Sequence, residues 1–259
     1  MPRDPRVAAV EDNLLDFVAA LASLPLFTSD GHDDVVTYHC EVAFPMFNAL
    51  SAARFPAAVT ERRTREVIAP FLDRGLPFMW WLTPSTTSPG LERVLVEAGM
   101  SVEETPGMHR PLTSDGEPLP VAPGIEVRVC GPGDQEQMMG AMLAGFGFPE
   151  HLYQPMRELM GLFAPDRLTH VMALVGGDAV AAGSVWLTGE TAGLYNIATV
   201  GAHRGRGVGY AVTAALLDVA RQRGCTQAVL HATAMGKPVY RRLGFVEVCP
   251  TPQYVWGEA

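Results

Sequence analysis

The stretch that most constrains this chain is His203-Arg204-Gly205-Arg206-Gly207-Val208-Gly209-Tyr210. It follows a mostly apolar run, Leu194 to Val200, and opens a helical pattern that continues to Gly224. Three glycines within five positions let the backbone approach a ligand closely, because no Cβ intervenes. A helix that starts at such a loop presents unpaired N–H groups and the positive end of its dipole there. Strand, glycine loop and helix start together predict a phosphate-binding turn. Two common glycine loops are excluded. A P-loop needs Gly-Lys followed by Ser or Thr, and here Gly209 is followed by Tyr210. A dinucleotide fingerprint needs G-x-G-x-x-G, and its third glycine would fall on Tyr210 or Val212.

The pattern that fits is R-x-x-G-x-G, made by Arg204, Gly207 and Gly209. Downstream, the spacing predicts a helix over Gly209–Arg223, with Val212, Leu216 and Val219 on one face and Gly224 as its stop. A strand follows at Gln227–Ala232, then a short helix, Lys237-Pro238-Val239-Tyr240-Arg241-Arg242, that runs into Leu243-Gly244-Phe245. The loop resembles the acyl-CoA-binding loop of the GNAT superfamily of N-acetyltransferases. The tail, V-Y-R-R-L-G-F, is similar to the last helix and strand entry of that family, commonly Y-x-x-x-G-F. The resemblance covers the chain from Ile125 to Trp256.

The resemblance implies an α/β fold, a mixed and mainly antiparallel sheet flanked by helices. It implies acetyl-CoA as cosubstrate and direct transfer of its acetyl group to a primary amine on a small molecule or peptide. The CoA pyrophosphate would lie on the backbone N–H groups of Arg204, Gly205, Arg206, Gly207, Val208, Gly209 and Tyr210, with the helix dipole assisting. The pantetheine arm carries amides and would pair, like a strand, with the backbone of Ile197 and Thr199. Tyr240 matches the tyrosine that protonates the departing sulfur. A thiol has a reference pKa of about 8.5 and a tyrosine about 10, so that donation relies on placement. No residue declares itself as general base: Glu190, Tyr195, His231 or a water chain could serve, and Glu150 and His151 could face substrate or solvent. A second reading stays open, a non-catalytic protein that binds or senses acyl-CoA.

A length of 259 residues suggests two domains. The order helix, Gly75, strand, short helix, Gly99 repeats as helix, Gly224, strand, short helix, Gly244. Aligned on those glycines, the first half has no R-x-x-G-x-G and carries Leu95 opposite Tyr240. The expectation is therefore two GNAT-like domains in tandem: a degenerate one over 1–110, a linker over 111–123 rich in Ser, Asp, Gly and Pro, and the acyl-CoA-binding one over 124–259. Upstream of the loop, strands are expected at Ile125–Cys130, Thr169–Val175, Ala179–Leu187 and Gly193–Val200, and helices at Gly133–Ala144 and Pro149–Phe163.

Composition narrows the partners. A hydrophobic content of 48% with 18% charged residues describes a globular chain with a sizeable core. A net charge of -9 argues against nucleic acid. The four cysteines, Cys40, Cys130, Cys225 and Cys249, have no metal-ligand spacing and no catalytic signature, so free thiols and no metal are expected. Acidic residues interrupt any apolar N-terminal run, and the longest apolar stretch is broken by Gly176-Gly177-Asp178. A cytoplasmic protein with no membrane span is expected, and a homodimer is compatible with the family.

Overall fold

The computed structural model describes residues 3–113 and 119–257. Of the linker read at 111–123, residues 114–118 lie outside the described residues. Two compact units emerge. One is Met108–Glu247 with the segment ending at Asn13, and the other is Leu14–Gly107 with the segment from Val248 onward. These units differ from the boundaries read in the sequence, because strands near the end of each half enter the other half's sheet.

The Leu14–Gly107 unit contains the second half of α1 (Pro5–Ala22), then β1 (Val36–Tyr38), β2 (Ala49–Ser51), α2 (Thr60–Arg74), β3 (Phe78–Trp81), α3 (Pro89–Glu97) and β4 (Ser101–Glu103). Local rules account for its helices. Ser88 accepts from the Leu91 N–H and Pro89 occupies the first helical position of α3. Gly75 ends α2 at φ 65°, a left-handed residue that glycine adopts without a Cβ clash. The sheet order is β1-β2-β3-β12-β4, where β12 is Gln253–Trp256 from the C-terminus. β12 pairs antiparallel with β3 and with β4, so the last strand of the chain fills a gap between two strands of the first half. Its Tyr254 joins Trp80, Phe78, Phe71 and Leu95 in the core of this unit.

The other unit holds β5 (Gly107–Pro111), β6 (Glu126–Val129), α4 (Gln135–Phe146), α5 (Tyr153–Gly161), β7 (Leu168–Val175), β8 (Asp178–Thr188), β9 (Thr191–Thr199), α6 (Val208–Gln222), β10 (Gln227–His231), α7 (Lys237–Arg242) and β11 (Val246–Cys249). Its sheet runs β11-β5-β10-β9-β8-β7-β6. β6 to β9 form an antiparallel meander, turned at Gly176-Gly177 and Gly189, all with positive φ. β9 and β10 are parallel, joined through the crossover helix α6. Val212, Leu216 and Leu217 of α6 pack on Ala192, Leu194, Ala228 and Leu230 of the sheet. The expected repeat is visible in the geometry: α2 and α6 are both 15 residues, and Gly75, Gly99, Gly224 and Gly244 all have positive φ. Among the described residues, no helix is long and apolar enough to cross a membrane.

Candidate active site

The site begins where β9 and β10 part. Their parallel register runs from Gln227↔Thr191 to Leu230↔Leu194 and stops there, although β9 continues to Thr199. A bulge in β9 turns the strand away. Two steps on β8, from Ala182 to Ser184, face three on β9, from Ala198 to Tyr195, and Asn196 takes φ 54°. An extra residue kinks a strand and raises its twist. It also resets which face each side chain serves. Leu194 packs in the core beneath α6, and Ile197 reaches the same α6 side beside Val212 and Leu216. The segment beyond Leu194 is thus a strand edge that β10 has left open. Val200 N–H bonds Val180 O at 2.9 Å, so the amide of Thr199 points the other way, toward that open edge.

The glycine loop sits at the end of this edge. Gly205 and Gly207 have φ of 72° and 84°, which an L side chain adopts only under strain. Those two turns aim the chain into α6. The first helical bond there is Ala211 N–H to Gly207 O at 3.0 Å. Among the described residues, no oxygen accepts from the amides of Gly205 to Tyr210. Gly209 packs against the strand: a Cβ there would lie 3.3 Å from Thr199 Oγ1. Arg204 is committed elsewhere in the loop. Its Nε donates to Thr199 O at 3.1 Å and its guanidinium to Gly145 O at 2.7 Å. That arginine therefore ties the loop to β9 and to the end of α4, while Arg206 is exposed.

Glycine also sets the other wall. A Cβ on Gly145 would fall 2.8 Å from Ala198 Cβ and 2.9 Å from Thr199 N, so α4 lies directly on the backbone of β9. No motif marked Gly145; a glycine near the end of a helix reads locally as a weak point rather than a contact.

Tyr240 and two of the candidate bases, Tyr195 and His231, occupy opposite faces of the sheet. Tyr240 is buried with Leu230, Leu243 and Phe245 on the α6 side, and burial pushes its phenol up to about 12. A Cβ on Gly236 would meet the Tyr240 ring at 2.7 Å, so glycine there makes room for it. Leu194 and Leu230 face α6, so the next residues along, Tyr195 and His231, project to the other face. Their rings lie 6.3 Å apart at 31°. Burial drops the His231 imidazole to about 4. Glu190 is remote from the parting: it precedes β9, and its Oε2 accepts from Thr226 Oγ1 at 3.2 Å. At about 3.3 Å per residue it stands roughly 17 Å from Tyr195 along the strand. Glu150 and His151 are exposed in the turn before α5.

One contact was absent from the sequence reading. Asn13, fully buried, accepts a 2.8 Å hydrogen bond from Tyr195 Oη. Nothing local marks it, since Asn13 is a polar residue in the apolar stripe of Val10, Leu14 and Phe17. Among the described residues, no three His, Cys, Asp or Glu side chains cluster as metal ligands would.

The sequence of residues 137–245 matches the model of the acetyltransferase (GNAT) family. The fold of the whole chain is similar to a GCN5-related N-acetyltransferase from Kribbella flavida, with a TM-score of 0.71, 19% identity, and 97% of this chain and 96% of that one covered. It is also similar to a GCN5-related N-acetyltransferase from Sphaerobacter thermophilus, with a TM-score of 0.64, 18% identity, and 88% and 78% covered. A third similar structure is a GCN5-related glucosamine N-acetyltransferase region of a fungal multi-domain GH3 beta-N-acetylglucosaminidase, with a TM-score of 0.64, 11% identity, and 92% and 34% covered. No curated protein matches the chain.

Proposed function

With residues 137–245 a GNAT-family domain and the whole chain folded as GNAT-like domains in tandem, we propose that this protein transfers an acetyl group from acetyl-CoA to a primary amine. The observation that carries the reading is the parting of β9 from β10 after Leu194↔Leu230, at the foot of a loop whose amides from Gly205 to Tyr210 have no acceptor among the described residues. These features fit acetyl-CoA part by part. Unpaired N–H groups at a helix start suit a pyrophosphate. An open strand edge at Ile197–Thr199 suits a chain of amides. Arg204 serves by holding the loop in shape, and Arg206 adds exposed positive charge beside it.

Acetyl-CoA supplies an activated thioester carbonyl, and the protein's residues place and protonate. With the thioester between the parted strands, Tyr195 and His231 line the face from which an amine can approach. Tyr240 comes from the α6 side and donates its phenol proton to the sulfur as the carbon–sulfur bond breaks. Its raised pKa keeps that proton in place at neutral pH. Donation from a phenol near 12 to a thiolate is uphill at rest, so the benefit lies in having a proton at the sulfur when charge develops there. His231 is neutral at pH 7 and too weak a base to hold the amine's proton for long. The proton leaves through His231 or through water to solvent. The half that precedes Gly107 offers no second site: Phe55 to Thr60 replaces the glycine loop and Leu95 stands in the place of Tyr240.

The test is turnover of acetyl-CoA against a panel of amines that includes glucosamine, spermidine and a lysine peptide. Free CoA is read by thiol titration and the product by mass spectrometry. Amine-dependent thiol release with an N-acetylated product supports the proposal. Tight acetyl-CoA binding without transfer to any amine assigns the protein to acyl-CoA sensing instead.

A further inference from the structure

One side of α6 gathers more positive charge than the chain neutralises. Tyr210, Ala214, Asp218 and Arg221 follow one another at helical spacing and form one stripe of the helix. Arg221 Nη1 donates to Asp218 Oδ1 at 2.5 Å. The Arg221 side chain is 10% exposed, and its Nε is buried with no acceptor among the described residues. Met108 of β5 packs in the core beneath α6, and Arg110, two residues on, shares its face. Arg110 lies along the backbone after α7: a Cβ on Gly244 would stand 3.7 Å from its Nε. Its half-buried guanidinium has no hydrogen-bond acceptor and no ion-pair partner among the described residues, and its Nη1 is buried. Burial and the nearby Arg221 hold its pKa below the usual arginine value, against an opposing pull from Tyr210 and Asp218. Arg242, at the end of α7, stands over the Tyr210 ring at 5.3 Å. Lys237 and Arg241 share Glu247, whereas Arg242 pairs with no carboxylate among the described residues. Asp218 is thus the one described carboxylate that pairs with any of these three arginines. A partly buried cation without a counter-charge is costly, so the imbalance calls for an anion from outside the chain.

We infer that Arg110 and Arg242, backed by Arg221, form a site for a phosphate monoester, and that its occupant is the phosphate on the ribose of acetyl-CoA. The inference rests on the proposed use of acetyl-CoA. It goes beyond it by adding a second phosphate contact, one that includes a residue outside 137–245, since Arg110 stands on β5. Guanidinium forks match phosphate oxygens in pairs, and a monoester dianion offsets more of the excess charge than a carboxylate does. Continuity with the glycine loop favours this occupant. Tyr210 ends that loop and sits in the first turn of α6, and both Arg110 and Arg242 lie near it. The ribose phosphate is a few bonds from the pyrophosphate, so one molecule can meet both sites. A free phosphate ester has the same chemistry and is separated from it below.

The experiment titrates the full chain by calorimetry, in phosphate-free buffer, with acetyl-CoA and with acetyl-dephospho-CoA, which lacks the ribose phosphate. Wild type is expected to bind acetyl-CoA about 10- to 100-fold tighter, the range for charge-assisted hydrogen bonds. Arg110→Met keeps the stem over Gly244 and removes the fork. It should bind acetyl-CoA as weakly as the dephospho form, while its affinity for the dephospho form stays within about 2-fold of wild type. Arg110→Lys should recover part of the gap, and Arg242→Ala should narrow it. Without phosphate, Arg110→Met should melt no lower than wild type, because it removes a charge that Arg221 repels; a purely structural role would lower the Tm. Equal wild-type affinity for the two donors, an undiminished gap in Arg110→Met, or equal losses for both donors overturns the inference. Should Arg110→Met fail to fold, an undiminished gap in Arg242→Ala overturns it alone. Inorganic phosphate separates the sources: if wild type binds both donors equally, yet phosphate raises the Tm of wild type and not of Arg110→Met, the site belongs to a free phosphate ester and the assignment to acetyl-CoA falls. Equal binding of both donors leaves the acetyl-CoA reading standing, and binding of neither removes both. A preference for acetyl-CoA with no amine turnover keeps this site and removes the transfer.

Discussion

Single residues set the tolerances of this site. Gly145 has the least room. Replacement by alanine improves helix propensity by about 1 kcal/mol, but its Cβ would overlap Ala198 and the backbone of Thr199. Overlap with backbone cannot be relieved by a rotamer, so Gly145→Ala should destabilise the protein by about 1–3 kcal/mol. A lowered urea midpoint at unchanged m-value is the expected readout, and an unchanged midpoint would show that α4 does not press on β9. Tyr240, proposed as the proton donor, is buried in the core beside Leu243 and Phe245. Tyr240→Phe keeps the ring against Phe245 and removes the hydroxyl. Its kcat should fall roughly 10²-fold with acetyl-CoA affinity nearly constant. The loss should shrink for acyl donors whose thiols are more acidic, since they leave without help. Because burial pushes the phenol to about 12, the acid form persists through the neutral range. Wild-type kcat should then show no Tyr240-dependent decline up to about pH 10. An equal loss for every leaving group would place Tyr240 in packing alone. Both the glycine loop and Tyr240 were legible in the sequence because their signals are local: fixed spacing within a few residues. Asn13 was not, because its partner Tyr195 stands 182 positions away.

Elements decide where those residues can act. α6 starts at Val208 and carries Gly209 in its first turn, where acidic residues stabilise a helix through its dipole. Gly209→Glu should therefore leave circular dichroism and the melting temperature intact or slightly higher, with Thr199 Oγ1 yielding a few tenths of an ångström to the new Cβ. The same charge stands where pyrophosphate is proposed to bind, so calorimetric affinity for acetyl-CoA should be lost. Retained affinity would remove this loop from the cofactor site. Gly207 is the poorer probe, since φ 84° makes any side chain there strained. Two helices were readable at close to their true ends: Lys237–Arg242 matches the sequence expectation to the residue, and α6, at Val208–Gln222, lies one residue before the expected Gly209–Arg223. Strong periodicity and glycine stops carry that information. The bulge at Asn196 had no such sign, because it depends on how β8 and β9 pair and not on either strand alone.

At the scale of the whole molecule the chain exchanges strands. β5 enters the seven-stranded sheet, and β12 enters the five-stranded one between β3 and β4. The sequence marked neither segment as a strand. Short segments of 4 or 5 residues carry little periodicity, and the Trp81↔Gln253 register depends on residues far apart in the sequence. A chain truncated after Glu247 should lose hydrogen-exchange protection in β3 and β4, because β12 is the strand that bonds both. Protection in β8 and β9 should survive, since β12 makes no part of that sheet. Equal loss in both sheets would show that the two units unfold as one. The repeat also fixes a count. Two halves share the order of helix, glycine, strand and helix, but one carries the glycine loop, the open β9 edge and the tyrosine. Calorimetric titration of the full chain with acetyl-CoA tests this most directly. One molecule bound per chain, and none bound by the Gly209→Glu variant, is the predicted result. Two bound per chain, or one bound with undiminished affinity by Gly209→Glu, would contradict it.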